Sequence, residues 1–282
     1  MKIAVASGKG GTGKTFIATN LAALLAEQMQ VTLVDADVEE PNAGLFLGPK
    51  ITGELQVDLP VPALDADSCT GCGQCAAACR YGALAMVGNH PLILDHLCHG
   101  CGACTYICPS GALFEVGRRI GVVRMGSARQ LRFIEGRLDP GQALAPPLVR
   151  ATRARAAEED GLVIIDAPPG TSCPVVAAVT GVDYVVLVTE PTPFGWNDLS
   201  LAAGMLRQLG LPLGVVINRW GMGGYPVEEQ CRRTGLLVLL RLPWDRQVAV
   251  TYARGQLSID DSPHWRRALG ELYKAVVREV RP

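Results

Sequence analysis

The chain has few aromatic residues, 5% of its 282, and no excess of charge of either sign. Lys and Arg number 26 against 27 Asp and Glu, a formal net charge of −1. So even a balance excludes a general electrostatic pull toward nucleic acid or anionic lipid, and neither is expected as a partner. No run of 18 apolar residues is present, which excludes a membrane-spanning helix. Residues Met1–Ala6 carry one Lys and a short apolar stretch before a Gly-rich loop, unlike a signal peptide. Cytoplasmic residence is therefore expected, where thiols stay reduced. Disorder is excluded too: 49% of the residues are hydrophobic and 19% charged, enough to build a core from Ala, Val and Leu. Against these absences stand ten cysteines, which in a reducing compartment need another explanation than disulfides.

Eight of the ten fall in two runs, Cys69, Cys72, Cys75, Cys79 and Cys98, Cys101, Cys104, Cys108. Each run is C-x2-C-x2-C-x3-C, and each member of the second follows its counterpart by 29 residues. The flanks repeat as well: Gly82-Ala83-Leu84 answers Gly111-Ala112-Leu113. An internal duplication accounts for this; composition does not. Three thiolates two residues apart can wrap one corner of a cubane cluster, and Gly71, Gly73, Gly100 and Gly102 allow the tight loop. Zinc suits the pattern less well, because zinc sites favour two CxxC pairs with a longer gap between them. Roughly residues 60–117 resemble the bacterial two-cluster ferredoxins. The resemblance implies two [4Fe-4S] clusters with crossed ligands. One would take Cys69, Cys72, Cys75 and Cys108; the other Cys98, Cys101, Cys104 and Cys79. Arg80 departs from the motif's usual Pro, which Pro109 keeps. A redox role and a purely structural role are both open for the clusters. Cys231, in the predicted helix Val227–Thr234, reads as a small buried apolar residue.

Lys2–Ala6 predicts a strand and Phe16–Gln28 a helix. Between them Gly8-Lys9-Gly10-Gly11-Thr12-Gly13-Lys14-Thr15 has the form G-x4-G-K-T. The backbone N–H groups of such a loop surround a β-phosphate, and the helix N-terminus adds favourable dipole charge. These eight residues are candidates for binding ATP or ADP, with Lys14 on the β- and γ-phosphates and Thr15 on Mg2+. The early Lys9 resembles the deviant Walker A motif of the MinD, Mrp, ParA and nitrogenase iron-protein class of P-loop ATPases. The resemblance implies that Lys9 crosses a dimer interface to the partner's nucleotide, a cation supplied in trans. A homodimer formed on ATP binding follows.

Asp35 and Asp37 come after the predicted strand Val31–Val34 and resemble the family's switch I. That likeness implies that Asp37 orients the attacking water and Asp35 supports the Mg2+ shell; a surface acidic turn is the alternative. The apolar strand Leu162–Ile165 ends at Asp166, placed as a Walker B carboxylate, and Pro168-Pro169-Gly170-Thr171 resembles the Mrp-type switch II. Lys9, Lys14, Asp37 and Asp166 are thus the candidate catalytic residues. Strands are also predicted at Tyr184–Thr189 and Leu213–Asn218, the first leading into Thr189-Glu190-Pro191-Thr192. Asn218 matches the position that reads adenine in relatives, with Arg219 able to stack on the base. Leu236–Leu240 is the expected last strand, with Pro243-Trp244-Asp245 as a base-side loop. Cys173 lies seven residues after Asp166, where the nitrogenase iron protein has a cluster-binding cysteine. It reads either as a small residue behind switch II or as part of a labile cluster or thiol relay at a dimer face.

This order of elements implies an α/β protein: a doubly wound, mostly parallel sheet of P-loop NTPase type with an inserted small α+β ferredoxin-like domain. The pattern breaks at Asp58-Leu59-Pro60-Val61-Pro62 and resumes by Gly121–Val123. The expected domains are 1–59 with 118–282 for the ATPase and 60–117 for the insert. Val123–Gly136 is predicted as a strand pair and Pro146–Glu159 as a helix. The insert falls between the two switches, which is the argument for coupling clusters to nucleotide. Trp265–Val280 is amphipathic; MinD ends in a membrane-binding helix, but packing on the chain's own sheet is the expectation here, without membrane attachment.

The whole chain resembles ferredoxin-containing MinD/Mrp ATPases. The implied function is ATP-dependent assembly or transfer of iron–sulfur or related metal clusters, to a cluster-acceptor protein. The alternative is ATP-gated electron transfer to a redox partner, favoured by the commitment of all eight clustered cysteines as ligands. MinD/ParA-like spatial positioning comes third. An amidoligase such as cobyrinic acid a,c-diamide synthase comes last, since no glutaminase segment is recognisable.

Overall fold

The computed structural model describes residues 1–157 and 160–280. The chain forms two compact units: one of Met1–Glu54, Val123–Arg137 and Val149–Pro282, the other of Leu55–Val122 and Leu138–Leu148. Its strands are β1 (Lys2–Ala6), β2 (Val31–Asp35), β3 (Lys50–Leu64), β4 (Leu84–Val87), β5 (His90–Ile93), β6 (Leu113–Ala128), β7 (Leu131–Leu138), β8 (Leu162–Asp166), β9 (Tyr184–Thr189), β10 (Leu213–Trp220) and β11 (Val238–Pro243). Among the described residues nine of them form one sheet in the order β11-β10-β9-β1-β8-β2-β7-β6-β3.

The centre of this sheet is parallel. Ala4 of β1 faces Ile165 of β8 on one side and Val185 of β9 on the other. Strand β2 lies parallel between β8 and β7. Every residue of β2, β8 and β9 is buried, as near-continuous Val, Ile and Leu runs require when helices cover both faces. The edge at β7, β6 and β3 is different. Arg129 and Gln130 alone join β6 to its neighbour β7, so the pair is an antiparallel hairpin, with Arg129 at φ 54°.

Strands β3 and β6 run 15 and 16 residues, and each contributes to both units. Pro60 and Pro62, where the alternation breaks in the sequence, lie inside β3, the sheet's edge strand, the place in a sheet that tolerates proline.

Helices of the first unit include α1 (Lys14–Leu25) and α2 (Ala43–Leu47). The second unit holds two one-turn helices, α3 (Gln74–Ala78) and α4 (Ala103–Ile107). Then come α5 (Pro146–Ala157), α6 (Cys173–Val179), α7 (Pro193–Gln208), α8 (Val227–Arg233), α9 (Arg246–Ala253), α10 (Ser258–Asp261) and α11 (Pro263–Val280). The predicted end of α5 at Glu159 lies outside the described residues.

Helix α11 packs on the first unit's own core. Trp265, Leu269, Leu272 and Val276 are buried there with Ile17 and Leu21 of α1. The Trp265 and Phe16 rings meet edge to face, centroids 5.2 Å apart. Cutting Leu269 to Ala would cost roughly 2–5 kcal/mol. No described helix is long and apolar enough to cross a membrane.

The second unit is built on the duplication. Helix α3 begins after Gly73 at φ 73° and α4 after Gly102 at φ 71°, a backbone conformation that glycine adopts freely. A buried cluster in it pairs Cys75 with Cys104 and Leu84 with Leu113, each pair 29 residues apart. The N–H of Asp65 donates to the carbonyl of Ala112 at 2.8 Å and closes the duplicated segment at its base.

Candidate nucleotide cleft and cysteine cavities

The Gly-rich loop leaves β1 where the sheet's strand order reverses, the usual ligand-binding crevice of an open α/β sheet. It borders a cleft of about 1180 Å3, open mouth included. Gly10, Gly11, Gly13, Lys14 and Thr15 line its floor. Asp37, Glu40 and Asn42 come from the loop after β2, and Pro169 from the loop after β8. Asn218, Arg219 and Pro243-Trp244-Asp245 form the far wall, which continues into Val248 and Tyr252 of α9. Glycine is needed at Gly8, where a Cβ would run into the Asp198 backbone of α7, and at Gly13, held at φ 99° against Asn218.

The carboxylates divide the work. Asp35 is fully buried and spent on backbone: it accepts from the N–H groups of Asn42 and Ala43, both at 2.9 Å, and of Asp37 at 3.2 Å. It fixes the loop after β2 and stands beside Asp166 in the sheet register, behind the residues that line the cleft. Burial, then the charge of Asp166, holds its pKa well above the usual carboxylate range. Asp37 faces the cleft with its pKa pushed up to about 6 by burial, against the pull of Lys14.

Asp166 is 1% exposed, and both its carboxylate oxygens are buried without a hydrogen-bond partner among the described residues. Burial raises its pKa to about 6; Lys14 and the nearby Thr15 hydroxyl oppose this, without closing a bond of ordinary geometry. Two orphaned oxygens beside a lysine and a threonine fit a hydrated divalent cation bridging to phosphate.

Lys9 does not project freely. Its ammonium pairs with Glu190 at the end of β9, which also accepts from Arg219 Nη1 at 2.8 Å. Burial pushes Glu190 up, but the bond and charge of Lys9, with the charge of Arg219, hold it below its ordinary pKa. Arg219 is braced in turn, at φ 54°, by donating to the carbonyl of Gly11 at 3.1 Å. Asn218 donates to the carbonyl of Thr12 at 2.8 Å and accepts from the N–H of Arg219 at 2.9 Å. Both residues proposed for the base therefore also clamp the phosphate loop. Glu190 was visible in the sequence, but nothing there named its partners. Tyr252 was missed because only the packing of α9 brings it to the cleft.

The cysteines gather in two separate places. A cavity of about 330 Å3, open mouth included, is lined by Cys69, Cys72, Cys75 and Cys108. A second, of about 380 Å3, is lined by Cys79, Cys98, Cys101 and Cys104. The last cysteine of each run thus faces the cavity of the other run. Among the described residues no three His, Cys, Asp or Glu converge closely enough to hold one metal ion. Each ring of thiols is opened around a space, and this donor set fits a larger thiolate-bound group. Cys231 is buried in α8, where burial pushes its thiol up to about 11; Cys173 is exposed at the start of α6.

The chain matches the family model described as CobQ/CobB/MinD/ParA nucleotide binding domain (CbiA) over residues 3–259, and it belongs to that family. It is 31% identical to Uncharacterized protein MJ0578 of Methanocaldococcus jannaschii over 97% of this chain and 95% of that one. The Iron-sulfur cluster carrier protein of Pyrococcus horikoshii is 52% identical over only 48 residues, 17% of this chain and 16% of that protein. Among solved structures, the septum site-determining protein MinD from Pyrococcus horikoshii, complexed with Mg-ADP, has the same fold. The TM-score is 0.62 at 19% identity, covering 98% of this chain and 95% of that one.

Proposed function

We propose that this chain is a Mg2+-dependent ATPase that gates one-electron transfer through two [4Fe-4S] clusters to a partner protein. The observation that carries this reading is the division of eight cysteines into two rings of four, with no thiol of either run left over. A cluster held at every corner suits electron exchange better than release. When bound, the clusters supply one-electron storage. The protein's own residues do the rest. Lys14 and Thr15 hold phosphate and Mg2+, Asp166 anchors the hydrated cation, and Asp37 orients water at the γ-phosphate. Lys9 leaves Glu190 for the nucleotide of a second copy, which makes hydrolysis depend on a homodimer. The sequence position of the ferredoxin-like insert, between the two switches, supports coupling.

Cluster assembly or transfer is the second reading. The exposed Cys173 and the short likeness to carrier proteins favour it. One experiment separates the two. Reconstitute the chain anaerobically, count iron and sulfide, then incubate it with an apo-ferredoxin with and without MgATP. Gating predicts constant iron and faster reoxidation by a one-electron acceptor with MgATP. ATP-stimulated loss of iron to the apo-ferredoxin would overturn gating in favour of transfer.

A further inference from the structure

The duplication makes the two cysteine cavities comparable position by position, and among the repeat positions that line both they differ at three. A shift of 29 residues relates Thr70 to His99, Tyr81 to Ser110 and Met86 to Glu115. Thr70, Ser110 and Met86 line the first cavity; His99, Tyr81 and Glu115 line the second. The repeat has therefore diverged at matching points of the two linings, while Ala83 with Ala112, and Leu84 with Leu113, stay the same.

The divergent residues are not neutral toward charge. Tyr81 and His99 stack at 3.8 Å between centroids, 9° from parallel, and link the flanks of Cys79 and Cys98. This aromatic pair shields its cavity from water on that side. Glu115 adds a carboxylate to the same lining. In the first cavity the Ser110 hydroxyl lies 3.7 Å from Cys108 Sγ, where it can donate to a thiolate sulfur, and in the second the Gly100 N–H donates to Cys98 Sγ at 3.4 Å. Reducing a cluster adds a negative charge inside the cavity. A donor to sulfur favours that charge and each cavity has one, so the difference lies in the shielding from water and the nearby carboxylate of the second, which oppose it.

We infer that the two cavities hold clusters of unequal potential, with the Cys69, Cys72, Cys75 and Cys108 set the higher and the set roofed by Tyr81 and His99 the lower. The first electron taken up rests on the Cys69 set, and an acceptor draws it from there. This rests on the iron–sulfur reading given above, and it adds a direction to it.

The test is an EPR-monitored titration with dithionite of the full chain, reconstituted with ferrous iron and sulfide. The unmodified chain should give two separate reduction steps. Putting the first cavity's residues into the second, as Tyr81→Ser with His99→Thr and separately Glu115→Met, should move the more negative step toward the other. Iron content should not change, because Tyr81 and His99 are exposed. The reverse exchange, Thr70→His with Ser110→Tyr, should move the more positive step down. Two coincident steps, or second-cavity substitutions that shift the higher step instead, would overturn the inference and leave the cluster reading intact. A chain that takes up no iron would sink the cluster reading, and this inference with it.

Discussion

In the nucleotide cleft the protein has assembled most of its site before any ligand arrives. The carbonyls of Gly11 and Thr12 are clamped by Arg219 and Asn218, Asp35 ties down the switch I loop, and Lys9 is paired with Glu190. The cysteine unit is the opposite case. Its sulfurs ring two cavities, few of them have partners, and the buried cluster between the cavities is two cysteines and two leucines. A cleft of the first kind is stable when empty and stores its cost in a few orphaned carboxylate oxygens. The duplicated segment, of the second kind, depends on what fills it, because so small a cluster around the sulfurs supports little by itself.

The largest effect should come from breaking this contrast on the cysteine side. Cys75→Ser should lose one cluster and much of the amide exchange protection of the cysteine unit. Nucleotide affinity should stay within about twofold of the parent, since the cleft's clamps lie elsewhere. Exchange mass spectrometry and calorimetry read the two halves separately. Equal loss of protection in both units would remove the contrast. The reciprocal change is Lys14→Ala, which removes charged bonds to phosphate. It should lower MgATP affinity about 1000-fold and leave iron content unchanged.

Asp166→Asn comes next and tests the orphaned carboxylate. Burial raises the Asp166 pKa from 3.8 to about 6, so the folded state holds this proton more tightly than the unfolded chain does. Without Mg2+, stability from this group is full below about pH 4 and falls as pH rises through 6. Asp37, also pushed up to about 6, adds a slope of the same sign. At pH 7 the Asn variant should therefore be more stable than the parent without Mg2+, by roughly 3 kcal/mol. It should gain nothing from added MgATP in thermal melts. A variant less stable than the parent at pH 7 would argue that Asp166 has a partner in the empty cleft.

The smallest effect tests the hold on Lys9. Glu190→Gln weakens the partly exposed charged bond to Lys9, worth about 1 kcal/mol, together with that to Arg219, and should raise ATP-dependent dimerisation roughly fivefold in sedimentation. In a Lys9→Ala background the same change should do nothing. A rise that persists there would mean that Glu190 acts through Arg219 alone.

The parts of the molecule legible in the sequence were those with local chemistry. Strand β1, the phosphate loop and α1 sit in one continuous stretch, so spacing alone predicts their arrangement. The apolar run of β8 ending at Asp166 reads the same way. Long-range pairings were not legible. Glu190 lies 181 residues from Lys9, and nothing in either segment names the other. Asp35 and Asp37 are two positions apart, yet one is fully buried under three backbone N–H groups and the other faces the cleft. Only the path of the loop from Asp35 to Ala43 decides which is which. The strand through Pro60 and Pro62 was not legible either, because proline argues against a central strand and says little about an edge, and edge position is a property of the whole sheet.

The central claim is that nucleotide state and cluster state are coupled through one chain. The direct measurement is the reduction potential of the reconstituted clusters, taken with no nucleotide, with MgADP and with MgATP, alongside Lys14→Ala as the control that cannot bind. Coupling predicts that MgATP shifts at least one potential in the parent chain and none in the variant. Potentials identical in all three states, in a chain that holds both clusters and turns over ATP, would contradict it.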